Sequence, residues 1–204
     1  FADGTRDDTS LVIWLQLGSD MADVRLPGDR SAVSGVDGFD DCSLVQLRAL
    51  AAGESSSGWT RCSPVEVGSD GRRRATAEWF TGDDGIGFQP VSAFPEPGLL
   101  EWVSDDVLIE RAPSGAYVEE WHRLPGTLSP MTHTVDATGR HCYRAGDAAV
   151  VVRDRPVALP RPARLDELLA DFGDDRAGVT ALVDCEFSFA RRRHDGSFVI
   201  EAST

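Results

Sequence analysis

Several strand-like stretches of this chain carry Trp, Tyr, Arg, Gln and carboxylates at alternate positions, a mixture unusual for an exposed sheet face. Successive strand side chains point to opposite faces, so alternation sorts them without a structure. Over 12–16, Trp14 and Gln16 share a face with Val12. Over 21–25, Asp23 and Arg25 share one with Met21. Over 117–123, Tyr117, Glu119, Trp121 and Arg123 align. Over 182–189, Glu186 aligns with Leu182, Asp184 and Ser188, opposite the apolar Val183, Cys185, Phe187 and Phe189. Lining a barrel interior, such faces would hold a small molecule. The aromatics, with Gln89, would give shape and contact, Arg25 and Arg123 would hold an anionic or carbonyl oxygen, and the carboxylates would orient them. Glu110, ending the run LIER, and Glu119 are the candidate general acid–base groups, because a carboxylate enclosed among aromatic rings has a raised pKa. A plainer arrangement uses the same residues: the apolar faces form a core between sheets, the mixed faces stay half-exposed, and Glu110 and Glu78 pair with arginines.

Other chemistries find no support. There is no lysine, so Schiff-base chemistry, lysine bases and a Walker-type phosphate loop are excluded. No Ser-His-Asp order or G-x-S-x-G elbow occurs. The loop 82–87 (GDDGIG) carries two carboxylates that would repel a pyrophosphate, and the acidic loops lack calcium-loop spacing. Cys42, Cys62, Cys142 and Cys185 form no C-x-x-C pair and lie at no zinc-finger spacing, which predicts reduced thiols and no structural metal. His122 is expected to point outward, and His133, His141 and His194 to sit in or near solvated turns. The triplets 72–74 and 191–193 read as charged hairpin ends.

The elements that must position these residues are mostly short strands. LVIWLQL at 11–17 and the alternating run 21–27 predict a hairpin around Gly18-Ser19-Asp20, followed by a polar loop over 28–38. Further strands are predicted at 59–67, 74–80, 86–89, 98–103, 107–111, 116–124, 132–137, 140–144, 148–153, 181–191 and 197–202, separated by Gly, Pro, Ser or Asp clusters. Two helices interrupt them. One spans 44–52, opened by an Asp or Ser cap and closed by Gly53, and the other spans 165–172 after the stiff Pro-rich stretch 155–164.

The chain has 204 residues, 41% of them hydrophobic, and a formal net charge of −14. That apolar fraction supports a packed core, and the length fits one unit over 1–204, with 1–126 and 127–204 as the alternative halves. The acidic balance disfavours nucleic acid and anionic lipid. No apolar run reaches the roughly 18 residues of a membrane helix, and FADGTRDDTS is too acidic for a signal peptide, so a cytoplasmic location is expected. The absence of Lys and Asn, whose codons are AT-rich, reads as codon bias in a GC-rich bacterial genome.

Six segments, in order, resemble the fungal and bacterial Hri family: VIWLQLGSDMADVRLP at 12–27, AEWFTGDDGIGFQP at 77–90, PEPGLLEWVSDDVLIER at 95–111, YVEEWHRLPG at 117–126, LVDCEFSFARR at 182–192 and AST at 202–204. The resemblance implies a calycin, a lipocalin-like barrel with a ligand cavity, and brings no established reaction. Glu78-Trp79-Phe80 stands where the family pattern often has Trp-His-Arg, so no His or Arg role carries over there.

The expected protein is all-β, a calycin-like antiparallel barrel with two short helices. It binds a small, partly apolar organic molecule and needs no cofactor. A cofactor-free isomerase, cyclase or dehydratase using Glu119 or Glu110, and an interaction module with an acidic surface, are the alternatives.

Overall fold

The computed structural model describes residues 1, 3–29, 38–81, 85–92 and 95–204. Most of the predicted polar loop (30–37) and the acidic part of the glycine loop (82–84) lie outside the described residues. The N-terminal strands are β1 (Leu11–Leu17), β2 (Asp20–Leu26), β3 (Ser56–Cys62), β4 (Glu66–Val67), β5 (Arg73–Phe80), β6 (Ile86–Gly87), β7 (Gly98–Trp102), β8 (Val107–Arg111) and β9 (Val118–His122). They form one antiparallel sheet in the order β1-β2-β3-β5-β7-β8-β9, with β4 on β5 and β6 on β3. The β1–β2 hairpin pairs Leu11 with Leu26 through Leu17 with Asp20, and Gly18, at φ 66°, supplies the left-handed turn residue.

This sheet curls into a half-barrel. Its end strands β1 and β9 share no hydrogen-bonded ladder. They meet through side chains, the Trp14 and Trp121 rings lying 5.5 Å apart. A second antiparallel sheet contains β10 (Met131–Val135), β11 (His141–Ala145), β12 (Ala148–Arg153), β13 (Glu186–Arg192) and β14 (Phe198–Ser203), in chain order.

One apolar core joins the two sheets. Ile13, Leu15, Ala22, Val24 and Leu26 on one face of the first hairpin pack with Tyr143, Val150, Val152, Phe187 and Phe189 of the second sheet. Helices α1 (Leu44–Ala49), α2 (Leu165–Asp171) and α3 (Arg176–Val183) add Leu47, Leu165, Leu168, Val179 and Leu182. Each such fully buried aliphatic or aromatic side chain stabilises the fold by roughly 1.5–3 kcal/mol. Helix α1 opens with a reciprocal capping box: Ser43 accepts from the Gln46 backbone, and the Gln46 side chain accepts from Ser43 N–H.

Three expectations are corrected. Among the described residues there are three α-helices rather than two, because the predicted strand over 181–191 begins as the end of α3 and becomes β13 only at Glu186. Asp175 caps α3 through Gly178 N–H, and Val179, Leu182 and Val183 satisfy a helical stripe as readily as a buried strand. Leu182 and Asp184 therefore share no strand face with Glu186. The predicted strand over 59–67 ends at Cys62 and resumes as β4, with Pro64 unable to donate to a ladder. His133 and His141 are not in turns. They lie in β10 and β11, half-buried, with His133 stacked on Tyr143 at 4.1 Å, 3.0 Å from His141 and 3.0 Å from Asp20 of the first sheet.

Among the described residues no helix is long and apolar enough to cross a membrane.

Candidate functional site

Strands β1 and β2 turn their second face, the one away from the core, toward the inside of the curl. There a cavity of about 280 Å³ opens among Trp14, Met21, Asp23, Arg25, Trp79, Phe80, Glu110 and Trp121, with Glu54, Ser55, Ser56, Gln89 and Pro95–Pro97 on its margin. The indoles meet edge to face: Trp14 lies 6.1 Å from Trp79 and 5.5 Å from Trp121, a favoured aromatic geometry.

Trp79 reaches this position through a glycine. It follows Ala75 and Ala77 on one face of β5, and Gly98 of β7 pairs with Ala77. A Cβ on Gly98 would lie 2.3 Å from the Trp79 ring and 3.0 Å from Glu110 Cγ, so only glycine lets the indole lie across the strand beside the carboxylate.

The polar centre is a chain of four charges. Arg25 Nε donates to Asp23 at 2.6 Å, and its two terminal nitrogens donate to Glu119 at 2.5 and 3.0 Å. The guanidinium also lies 5.6 Å from the centre of the Trp121 ring. Burial opposes the Arg25 charge, but Asp23 and Glu119 outweigh it and hold the group more basic than usual. Glu110 stands opposite Glu119 in the β8–β9 ladder and accepts from Tyr117 Oη at 3.0 Å and Trp121 Nε1 at 3.1 Å. Burial first, then the Glu119 charge, push Glu110 up to about 7. Burial, then Glu110, also raise the Tyr117 phenol. Asp23 is raised by burial despite Arg25.

Two wall side chains carry buried polar atoms with no hydrogen-bond partner, Trp14 Nε1 and Asp23 Oδ1. Trp14 and Asp23 face each other in the β1–β2 ladder, so both atoms belong to one cross-strand pair. Unmade hydrogen bonds of this kind cost about 1–3 kcal/mol each.

Of the sequence-derived residues, the structure brings Trp14, Asp23, Arg25, Gln89, Glu110 and Trp121 into the wall, with Tyr117 and Glu119 directly behind it. The Gln89 amide is already committed, donating to Ala51 and Gly53 carbonyls at 2.6 and 2.8 Å and accepting from Leu165 N–H at 3.0 Å. It braces the start of α2. Three expected residues lie elsewhere. Gln16 accepts from Thr60 and donates to the Gly18 carbonyl, fastening the hairpin end. Arg123, past the end of β9, is exposed and pairs with Asp106 at 3.0 Å. Glu186 lies in the second sheet, where it accepts from Arg140 at 2.6 Å and Ser188 at 2.7 Å. Glu110 does not follow the plain arginine-pair expectation: it is held by Tyr117 and Trp121, while Arg25 clamps Glu119 instead. Glu78 does pair with Arg61.

Sequence reasoning missed Trp79, Phe80, Ser55 and Ser56 as wall residues. The small residues Ala75, Ala77 and Gly98 around Trp79 were the available signal. Among the described residues, no group of three or more His, Cys, Asp or Glu side chains is placed to hold a metal ion. No family model matches the chain, and neither a curated protein nor a solved structure is similar to it.

Proposed function

We propose that this chain is a calycin-like, Hri-related cytoplasmic protein that binds one small, partly apolar organic molecule inside its curled sheet. The observation that carries this reading is one cavity of about 280 Å³ lined by three indoles and by two side chains, Trp14 and Asp23, that each carry a buried polar atom without a partner. A cavity formed only as a packing defect would be lined by apolar atoms and would leave no buried donor and acceptor unmade. The four free thiols accord with a reducing compartment.

Native mass spectrometry of the protein from its own host, followed by denaturation and small-molecule analysis, tests the reading. A stoichiometric organic passenger, lost in Trp14→Phe, is the expected result. A protein that is empty as isolated, and still empty after challenge with host metabolite extract, overturns it.

A second reading rests on Glu110. A cavity-wall carboxylate with its pKa near 7 suits proton transfer at neutral pH, so the same site supports a cofactor-free isomerase or dehydratase. Glu119, held on both oxygens by Arg25, would orient rather than transfer. Turnover of the recovered passenger with a bell-shaped pH profile, abolished in Glu110→Gln, is the result that would favour this reading.

A further inference from the structure

The wall of the cavity is electrostatically lopsided. Asp23, Glu54, Glu96 and Glu110 contribute carboxylates, the Glu78 side chain being turned to the other face of β5, and Arg25 is the one guanidinium among the described lining residues. Glu54 is offset from outside by Arg164, and Glu96 accepts from the Ser114 backbone and hydroxyl. Arg25 is itself bonded to two carboxylates, Asp23 and Glu119. An anion entering the cavity would have to displace one of these and would then face Glu110. Arg123 is on the outside, and among the described lining residues there is no second guanidinium to hold it.

A cation meets the opposite situation. Asp23 Oδ1 is a buried acceptor without a partner, and Glu110 is held by neutral donors rather than by an arginine. Trp14, Trp79 and Trp121 line the space with aromatic rings, whose negative faces attract organic cations, most strongly when water is excluded. Trp14 Nε1–H, opposite Asp23, offers a donor to an acceptor on the same molecule.

Resting on the ligand-binding reading above, we infer that the cavity is selective for a small organic ammonium ion on an apolar or aromatic body, with Asp23 receiving its N–H and the tryptophan rings enclosing it. Acidic anions of the same size and shape are excluded. The overall charge of −14 acts in the same sense, raising the local concentration of cations.

Three probes sharing one ring and differing in the head group test the inference: 2-phenylethylammonium, 2-phenylethanol and phenylacetate, titrated calorimetrically into the full chain at neutral pH. The ammonium probe is expected to bind about tenfold more tightly than the alcohol, with no detectable binding of the acid. Asp23→Asn is expected to bring the ammonium and alcohol affinities together. If that variant fails to fold, Glu110→Gln serves instead and should narrow the same gap. Equal or tighter binding of the alcohol or acid overturns the inference, as does absence of binding by all three probes. A neutral or anionic passenger from the native protein would overturn it too, while leaving the ligand-binding reading in place. An empty protein that also ignores every probe would remove both.

Discussion

The two sheets use strand alternation in opposite ways. In the second sheet, Tyr143, Val150, Val152, Phe187 and Phe189 send one face into the core, while on the other Glu186 is bonded to Arg140 and Ser188, and Ser188 to Ser203. In the first sheet, the core face of β1 and β2 is equally apolar, but the reverse face encloses Asp23, Arg25, Glu110 and Glu119 among tryptophans. The second sheet keeps its charges near water, with Arg140 Nε its one buried polar side-chain atom among the described residues that lacks a partner, and the first holds a charge cluster away from water. Charges withdrawn from water are costly and are stable only as a complete set. Folding stability and a receptive interior are therefore in tension in the first sheet and not in the second.

The largest expected effect comes from breaking that set. Arg25→Met leaves Asp23 and Glu119 enclosed without their cation, with Glu110 close by, and should cost about 3–5 kcal/mol in urea unfolding. Arg140→Met in the second sheet removes a partner of Glu186 that is 41% exposed, and Glu186 keeps Ser188. That change should cost no more than about 1 kcal/mol. Equal losses would erase the distinction between the sheets.

Much of this arrangement was legible in the sequence, and the gaps have physical causes. Period-two alternation identifies the shared faces of Trp14 with Gln16, Asp23 with Arg25, and Tyr117 with Glu119 and Trp121. It does not say how far along a strand the cavity extends, so Gln16 at a hairpin end and Arg123 beyond β9 fall outside. Nor does it say which sheet a strand joins, which is why Glu186 resembled a cavity residue. Trp79 depends on a glycine in a neighbouring strand, a pairing that local pattern cannot supply. In the sequence Arg155 reads only as part of a stiff Pro-rich connector. It is buried, with its guanidinium on the Leu182, Gly87 and Phe88 carbonyls, and it ties the end of α3 to the β6 segment of the first sheet through long-range contacts.

A smaller effect separates the sheets by pH. Glu110 is raised from 4.5 to about 7 in the folded protein, so the folded state holds its proton more tightly than the unfolded chain. Its contribution is fully present below about 4.5 and is lost as pH rises through about 7. The loss amounts to about 3 kcal/mol over that window. Glu110→Gln should flatten this part of the stability–pH curve, whatever it does to absolute stability by disturbing Tyr117 and Trp121. Glu186→Gln in the second sheet should leave that slope in place. Urea midpoints at half-unit pH intervals would show it, and an unchanged slope in Glu110→Gln would remove the case for a proton-bearing group in the cavity.

The smallest expected effect is the most discriminating. Trp14→Phe deletes a buried donor that has no partner and keeps an aromatic ring against Trp79 and Trp121. Relief from the unmade hydrogen bond offsets lost packing, so stability should change by less than about 1 kcal/mol. Val150→Ala, at a fully buried position of the second sheet, should cost about 2 kcal/mol because nothing offsets its lost contacts. Calorimetric melting of both variants makes the comparison, and passenger retention by Trp14→Phe completes it. A binding wall gives up its ligand while the fold holds, whereas a plain core gives up stability and has no ligand to lose. If Trp14→Phe melts as early as Val150→Ala, the indole is packing material like any other, and the first sheet differs from the second only in shape.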